Sequence, residues 1–198
     1  MKIIGLTGPS GSGKGTIAKI LKKYNIPTVD TDLVYRKLLI PPSECLNELQ
    51  KNFGDSIIRE DKTLDRPKLA AIVFSDPEKL KLLNSITHKY ILARTSQRIN
   101  YRRKRGYRAI TIDAPALFES GFDAKCDFII TVTADRNTRV SRIMARDKIE
   151  RVAAEKRIDA QPPIDFYTSR SKYTIENNGD LNALTDSIIK IIGLEELI

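Results

Sequence analysis

Gly8-Pro9-Ser10-Gly11-Ser12-Gly13-Lys14-Gly15-Thr16 is the stretch that decides how the rest of this sequence folds. It has the G-x-x-x-x-G-K spacing of a loop that wraps a phosphate. Glycines let the backbone curl until successive N–H groups point at one anion, and a helix beginning here adds its positive end. Lys14 supplies a flexible point charge for the outer phosphates of a nucleotide. The flanks fit this reading. Lys2 to Leu6 is a short apolar run, a strand, and Ile17, Ile20 and Leu21 recur at helical spacing. Strand, loop and helix in register make Gly11, Ser12, Gly13, Lys14, Gly15 and Thr16 the candidate nucleotide-binding residues. One position departs from the common pattern. Gly15 stands where a magnesium-ligating Ser or Thr usually follows the lysine, and Thr16 comes one residue later. Thr16 is thus a candidate metal ligand with its role open, because magnesium keeps several waters of its own.

Working outward, Pro27-Thr28-Val29 reads as a second strand ending at Asp30-Thr31-Asp32. An i, i+2 pair on a strand faces one side, and ligands bind beyond the carboxyl ends of parallel strands. A carboxylate there can accept the proton of an attacking hydroxyl or hold a metal-bound water. Asp32 is favoured for that chemistry and Asp30 for support, with one of the two open to being a helix cap before Leu33. From Leu33 to about Arg105 the pattern is helical, with one helix marked by Leu46, Leu49 and Phe53 and a second by Leu69, Ile72 and Val73. A third opens at Ser75-Asp76-Pro77 and runs through Leu80, Leu82 and Leu83, and a long fourth carries Ile86, Tyr90, Ile91 and Ile99. That is too much helix for one crossover, so it reads as an inserted subdomain.

Strand character returns at Ala109–Asp113 and Phe128–Val132, followed by a basic helix from about Arg136 to Arg146. Asp113, ending an apolar strand, is a candidate second magnesium-binding acid. Residues 148–171 are charged and helical with a break at Pro162-Pro163, Tyr173–Ile175 is a last short strand, and Leu181–Ile192 a closing amphipathic helix. Alternating strands and helices predict an α/β fold, a mostly parallel sheet covered on both faces.

The chain has 198 residues, a net charge of +9 and 41% hydrophobic residues, which suits one globular core with an insertion. No stretch is apolar enough to span a membrane, and the opening strand runs directly into the loop, so no signal peptide is expected. Two cysteines, Cys45 and Cys126, sit in no metal-ligand spacing, and a reducing cytoplasm is the expected setting. The run Arg102-Arg103-Lys104-Arg105 reads as a solvated helix end before it reads as a phosphate-docking patch, since no aromatic residues interleave it.

Taken together, these segments resemble the dephospho-CoA kinase family over nearly the whole chain. The resemblance is carried by Gly5 through Thr16, Val29-Asp30-Thr31-Asp32, Phe53-Gly54, Leu64-Asp65-Arg66 and Val73-Phe74. It continues through Leu83-Asn84-Ser85-Ile86-Thr87-His88 and Asp113-Ala114-Pro115-Ala116-Leu117-Phe118-Glu119. Arg142, Arg146-Asp147, Arg157-Ile158-Asp159-Ala160-Gln161 and Ile175-Glu176-Asn177-Asn178-Gly179 complete it. The implied fold is a phosphate-loop α/β/α kinase with a five-stranded parallel sheet. Its core would be residues 1–32, 106–147 and 172–198, with a helical substrate insertion at 33–105 and a mobile helical lid at 148–171.

The implied reaction moves the γ-phosphoryl of ATP to the 3′-hydroxyl of dephospho-CoA, with magnesium. Asp32 matches the acid at the acceptor hydroxyl, Lys14 the phosphate lysine and Arg142 the arginine at the lid hinge. Asn177 lies in the segment approaching the adenine. Thr7, His88 and Arg157 are candidate substrate contacts, with His88 open to being a structural helix residue and Arg157 to a salt bridge within the lid. Arg146, one helical turn beyond Arg142, can reach the same phosphates. The expected partners are ATP and dephospho-CoA, with no nucleic acid and no membrane, the oligomeric state left open. Lys89 departs from the family pattern, where proline is usual, and Ala116 and Glu176 replace leucine and aspartate. Two rival readings remain. The loop, with its Gly-Lys-Gly-Thr, is close to that of cytidylate kinase, but only Arg36 follows Asp32 to hold an acceptor phosphate. A nucleotide-switched nucleic-acid binder would suit the charge but lacks any recognisable module.

Overall fold

The apolar run that opens the chain becomes the central strand of the sheet. In the computed structural model, which describes residues 1–198, β1 (Lys2–Thr7) lies between β3 (Ala109–Asp113) and β4 (Phe128–Thr133). The outer strands are β2 (Thr28–Asp30) and β5 (Tyr173–Glu176), giving the order β2-β3-β1-β4-β5. The sheet is parallel: β1 pairs Leu6 with Asp113 on one side and Thr7 with Thr131 on the other. Strands covered on both faces read as unbroken apolar runs, and all six residues of β4 are buried.

Helix α1 (Lys14–Lys23) covers one face through Ile17, Ile20 and Leu21, beside α9 (Leu181–Leu194) with Leu184, Ile188, Ile191 and Ile192. Each such fully buried aliphatic side chain contributes about 1.5–3 kcal/mol. These contacts seat the amino end of α1 where β1 delivers it. α1 has no acid in its first turn and carries Lys22 and Lys23 in its last. Its carboxyl end is thus complemented, while its positive amino end is left for an outside anion.

The chain divides into two compact units, residues 1–29 with 102–198 and residues 30–101. The second is all helical: α2 (Thr31–Leu38), α3 (Glu44–Phe53), α4 (Arg66–Phe74) and most of α5 (Pro77–Lys104). It has its own core of Leu46, Leu49, Ile57, Leu69, Val73 and Ile86. Its helices start at side-chain caps, Asp30 for α2, Ser43 for α3 and Asp65 for α4, each accepting a backbone N–H of the first turn.

Two expectations change here. The third and fourth helices of the insertion are one helix of 28 residues, α5. Leu80, Leu83, Ile86 and Tyr90 all pack on the core of this unit, and no Gly or Pro lies between Glu78 and Lys104 to break the hydrogen-bond ladder. Gly106, with φ 77, ends the run, and Arg102-Arg103-Lys104 form its basic last turn. Lys89 sits inside this helix and pairs with Glu48 at 2.7 Å, so the residue that replaces the family's proline keeps the helix unbroken.

The second change concerns Asp30 and Asp32. β2 stops at Asp30, whose side chain caps α2 by accepting Leu33 N–H at 2.9 Å. Asp32 is already in the first turn of α2, so the two are not a same-face strand pair. The charged helical segment divides around Pro162-Pro163, where the sequence places its break, into two short helices, α7 (Arg151–Asp159) and α8 (Ile164–Thr168), and α6 (Arg136–Asp147) precedes them. No helix is long and apolar enough to cross a membrane.

Candidate active site

The loop after β1 is held in shape by steric exclusion as much as by bonds. Gly8 has φ 136, and a Cβ there would lie 2.1 Å from the Val132 carbonyl oxygen. Gly13, the cap of α1 with φ 94, would place a Cβ 2.1 Å from Asn177 Nδ2. Neither position accepts any other residue without moving backbone or a buried amide. Lys14 turns back over the loop and donates from Nζ to the Gly8 carbonyl at 3.1 Å. Its ammonium therefore already sits with the loop that is to receive the phosphates.

The floor of the loop comes from α6 and the end of β5. Arg142 donates from one guanidinium nitrogen to the carbonyls of Gly11 at 3.2 Å, Ser12 at 3.3 Å and Asn177 at 2.9 Å. Asn177 is buried and donates from Nδ2 to the Ser12 carbonyl at 2.8 Å. Carbonyls tied down beneath fix the loop's peptide planes. The Ser10 N–H is taken by Gln161 Oε1 at 3.0 Å and the Ser12 N–H by the Pro9 carbonyl at 3.2 Å, so the anion is left to the amino end of α1. Beneath them the Ser12 hydroxyl is buried without a hydrogen-bond partner.

Thus Gly11, Ser12, Gly13, Lys14, Arg142 and Asn177 come together as one constellation. Arg146 lies at its edge, donating to Ser10 Oγ at 3.4 Å and pairing with Asp147 at 2.9 Å. Arg157 is turned to the same carboxylate of Asp147, forming an ion pair within the 148–171 region and its hinge. Hydrogen bonding to Arg146 holds Asp147 below the ordinary carboxylate range. Thr7, expected at the substrate, is fully buried and donates to the Pro115 carbonyl at 3.3 Å, tying β1 to the segment after β3.

Asp113 ends β3 as the register partner of Leu6, at the edge where β1 passes into the loop. Thr16 is the third residue of α1, and Gly15 is exposed with open space around its Cα. No three acidic, histidine or cysteine side chains cluster to form a protein-only metal cage. One carboxylate and one hydroxyl are a sparse donor set, which fits an ion that keeps waters and leans on substrate phosphates.

Asp32 and His88 belong to the helical unit, Asp32 exposed in the first turn of α2 and His88 half-buried on α5. That unit also has a cleft of about 470 Å³ lined by Val34, Lys37, Tyr90, Arg94 and Arg98 among others, and neither Asp32 nor His88 lines it. In helical projection both lie on the opposite faces of α2 and α5 from the residues that do.

Two residues at the loop had no assigned role from sequence. Arg139, one turn before Arg142, is buried beneath Gly11, and Gln161 follows α7 and reaches Ser10. The i, i+3 spacing of Arg139 and Arg142 on a basic helix was the available signal, masked by the many surface arginines around it.

A family model for dephospho-CoA kinase matches residues 2–183. The chain belongs to the dephospho-CoA kinase family. The dephospho-CoA kinase of Moorella thermoacetica is 40% identical over 189 residues, 95% of this chain and 89% of that one. Among solved structures, TT1252 from Thermus thermophilus superposes with a TM-score of 0.81 at 31% identity, covering 100% of this chain and 98% of that one. The dephospho-CoA kinase of Campylobacter jejuni gives 0.70 at 25% identity, covering 96% and 95%. The activity is that of an ATP-dependent kinase acting on dephospho-CoA, and the cytidylate-like alternative is not favoured by these relatives.

Proposed function

We propose that Asp32, Lys14 and the loop carry out this transfer in named roles, with ATP and magnesium bound at the amino end of α1. The observation supporting it most is the constellation of Lys14, Arg142 and Asn177 around the Gly11–Gly13 backbone. Phosphoryl transfer needs little covalent help and much positioning and positive charge. The loop amides and Lys14 would hold the β- and γ-phosphates, and Arg146 would add charge at the rim. Asp32 would accept the proton of the 3′-hydroxyl as its oxygen attacks phosphorus and the bond to the β,γ-bridging oxygen of ATP breaks. His88 and Arg157 would serve the acceptor.

Magnesium would be held by Asp113 and Thr16 through water and by the phosphates themselves, neutralising the charge that develops on them. Residues 33–105 would form the acceptor domain and 148–171 the lid, whose closure would keep water from the γ-phosphate. Soluble, small-molecule chemistry of this kind fits a cytoplasmic enzyme.

The deciding experiment is ADP release with ATP and magnesium, comparing dephospho-CoA with CMP, UMP and AMP as acceptors. Turnover confined to dephospho-CoA is expected. Turnover confined to a monophosphate would overturn the acceptor assignment while leaving the loop's role in place.

A further inference from the structure

Arg139 is 5% exposed, yet its partners are not carboxylates. Its Nε donates to the Ser10 carbonyl at 3.0 Å and its Nη2 to Gln161 Oε1 at 3.1 Å. Gln161 Oε1 also accepts the Ser10 N–H at 3.0 Å. Both backbone groups of Ser10 are thereby fixed by two side chains that are themselves bonded to each other. Directly above, the Cα of Gly11 lies so close that an added Cβ would meet the Arg139 carbonyl oxygen at 2.7 Å. Burial lowers the pKa of the Arg139 guanidinium, and no acid offsets that cost. A buried cation without a counter-charge is expensive unless something anionic compensates it in the working state. The phosphates that fill the loop would supply that charge.

Gln161 is also the first residue beyond the end of α7 and its cap, Ala160, and it precedes Pro162-Pro163. α7 rests on α6 through Val140, Ile143, Ala154 and Ile158, with Met144 and Ile149 alongside, and through three polar pairs, Arg136–Asp159 at 2.6 Å, Arg151 to Asn137 Oδ1 at 3.4 Å and Arg157–Asp147. At its other end, Lys148 is in the left-handed conformation, φ 53. Those polar pairs are solvent-exposed and individually weak, whereas Gln161 is bonded to a buried arginine.

We infer that Gln161, clamped by Arg139, is the positioning residue that couples the 148–171 segment to the phosphate loop. It holds the Ser10 limb in its phosphate-receiving shape and fixes the pivot about which α7 closes. A single side-chain oxygen accepts both donors, the Ser10 N–H and the Arg139 guanidinium. The inference rests on the kinase reading above, and its test separates the two.

Wild type, Gln161→Leu and Gln161→Glu are compared for ADP affinity by calorimetry, for ADP release with and without dephospho-CoA, and for thermal midpoint. Leucine keeps the size but accepts nothing; glutamate keeps both accepted bonds. Loss of a bond to a charged donor is expected to weaken ADP binding roughly tenfold in Gln161→Leu. The ratio of acceptor-independent to acceptor-dependent ADP release should rise by a similar factor, as the lid loses its pivot and water enters. Gln161→Glu should bring that ratio back toward wild type. Unchanged ADP affinity and ratio in Gln161→Leu, even with a lowered thermal midpoint, would reduce Gln161 to a structural contact and overturn the inference. So would a Gln161→Glu variant as uncoupled as Gln161→Leu. A wild type that ignores dephospho-CoA would overturn the acceptor assignment instead, and the ADP affinities would still judge Gln161.

Discussion

Arg142 and Asn177, 35 positions apart, are joined by two hydrogen bonds, to the Asn177 carbonyl at 2.9 Å and to its Oδ1 at 3.4 Å, and each also holds the Ser12 carbonyl. The pair braces the phosphate loop from beneath. An arginine serving only the γ-phosphate would lower kcat and leave ADP affinity alone. A brace shapes the loop for any nucleotide. Arg142→Ala should therefore weaken ADP and ATP binding alike, by roughly tenfold or more, and Arg142→Lys should recover little, since a point charge cannot span three carbonyls. Equal ADP affinity in wild type and Arg142→Ala, measured by calorimetry, would return Arg142 to a purely catalytic role.

Asp32 stands exposed in the first turn of α2, and the residue that caps this helix is Asp30. Asp32→Asn should leave ATP binding nearly intact and lower kcat by about 10²-fold or more, because proton acceptance is lost while geometry is kept. Steady-state kinetics at saturating dephospho-CoA reads this directly, and a near-normal kcat would remove Asp32 from the chemistry.

Lys14 donates to the Gly8 carbonyl and so contributes to the loop's own closure as well as to phosphate binding. Lys14→Ala is expected to weaken ATP binding and turnover together. Retained ATP affinity with a lost kcat would limit the lysine to the transition state.

Glu195 ties the two ends of the chain together. Lys2 Nζ donates to its Oε2 at 2.9 Å, and Lys172 Nζ and Tyr173 OH each donate to its Oε1 at 2.6 Å. Burial alone would raise its pKa, but hydrogen bonds from Lys172, Tyr173 and Lys2 outweigh it and bring the carboxyl down to about 2. A depressed folded-state pKa means this stabilisation is complete above the unfolded value near 4.5 and fades as pH falls toward 2. Glu195→Gln should cost about 1–3 kcal/mol at neutral pH and flatten the loss of stability between pH 4.5 and 2. Denaturant melts of both proteins across that range measure it, and parallel pH curves would show that Glu195 is not the group responsible.

Much of this was legible beforehand for a physical reason. The loop's glycines and lysine act through the backbone, so their spacing alone specifies the chemistry. β1, β3 and β4 are buried on both faces and announce themselves as apolar runs. The roles of Arg139 and Gln161 were not legible, because one more arginine on a basic helix looks like surface, and burial is not a local property. Likewise the sequence reads as two helices on either side of Leu83, whereas one helix continues because no Gly or Pro in its backbone stops it. Asp30 and Asp32 looked like a strand pair because the sequence does not mark where a three-residue strand ends and a helix begins.

What the sequence determined by itself was the phosphate loop, the alternation of strands and helices and, through the order of short local segments along the chain, the family. Only the tertiary structure decided which side chains hold that loop. Arg142 and Asn177 meet beneath Ser12, and Arg139 and Gln161 meet beside Ser10, because α6, β5 and the end of α7 converge there. Their partners are backbone carbonyls and amides more than 120 positions away. Such atoms are alike in every residue, so no sequence pattern says which of them a side chain will find.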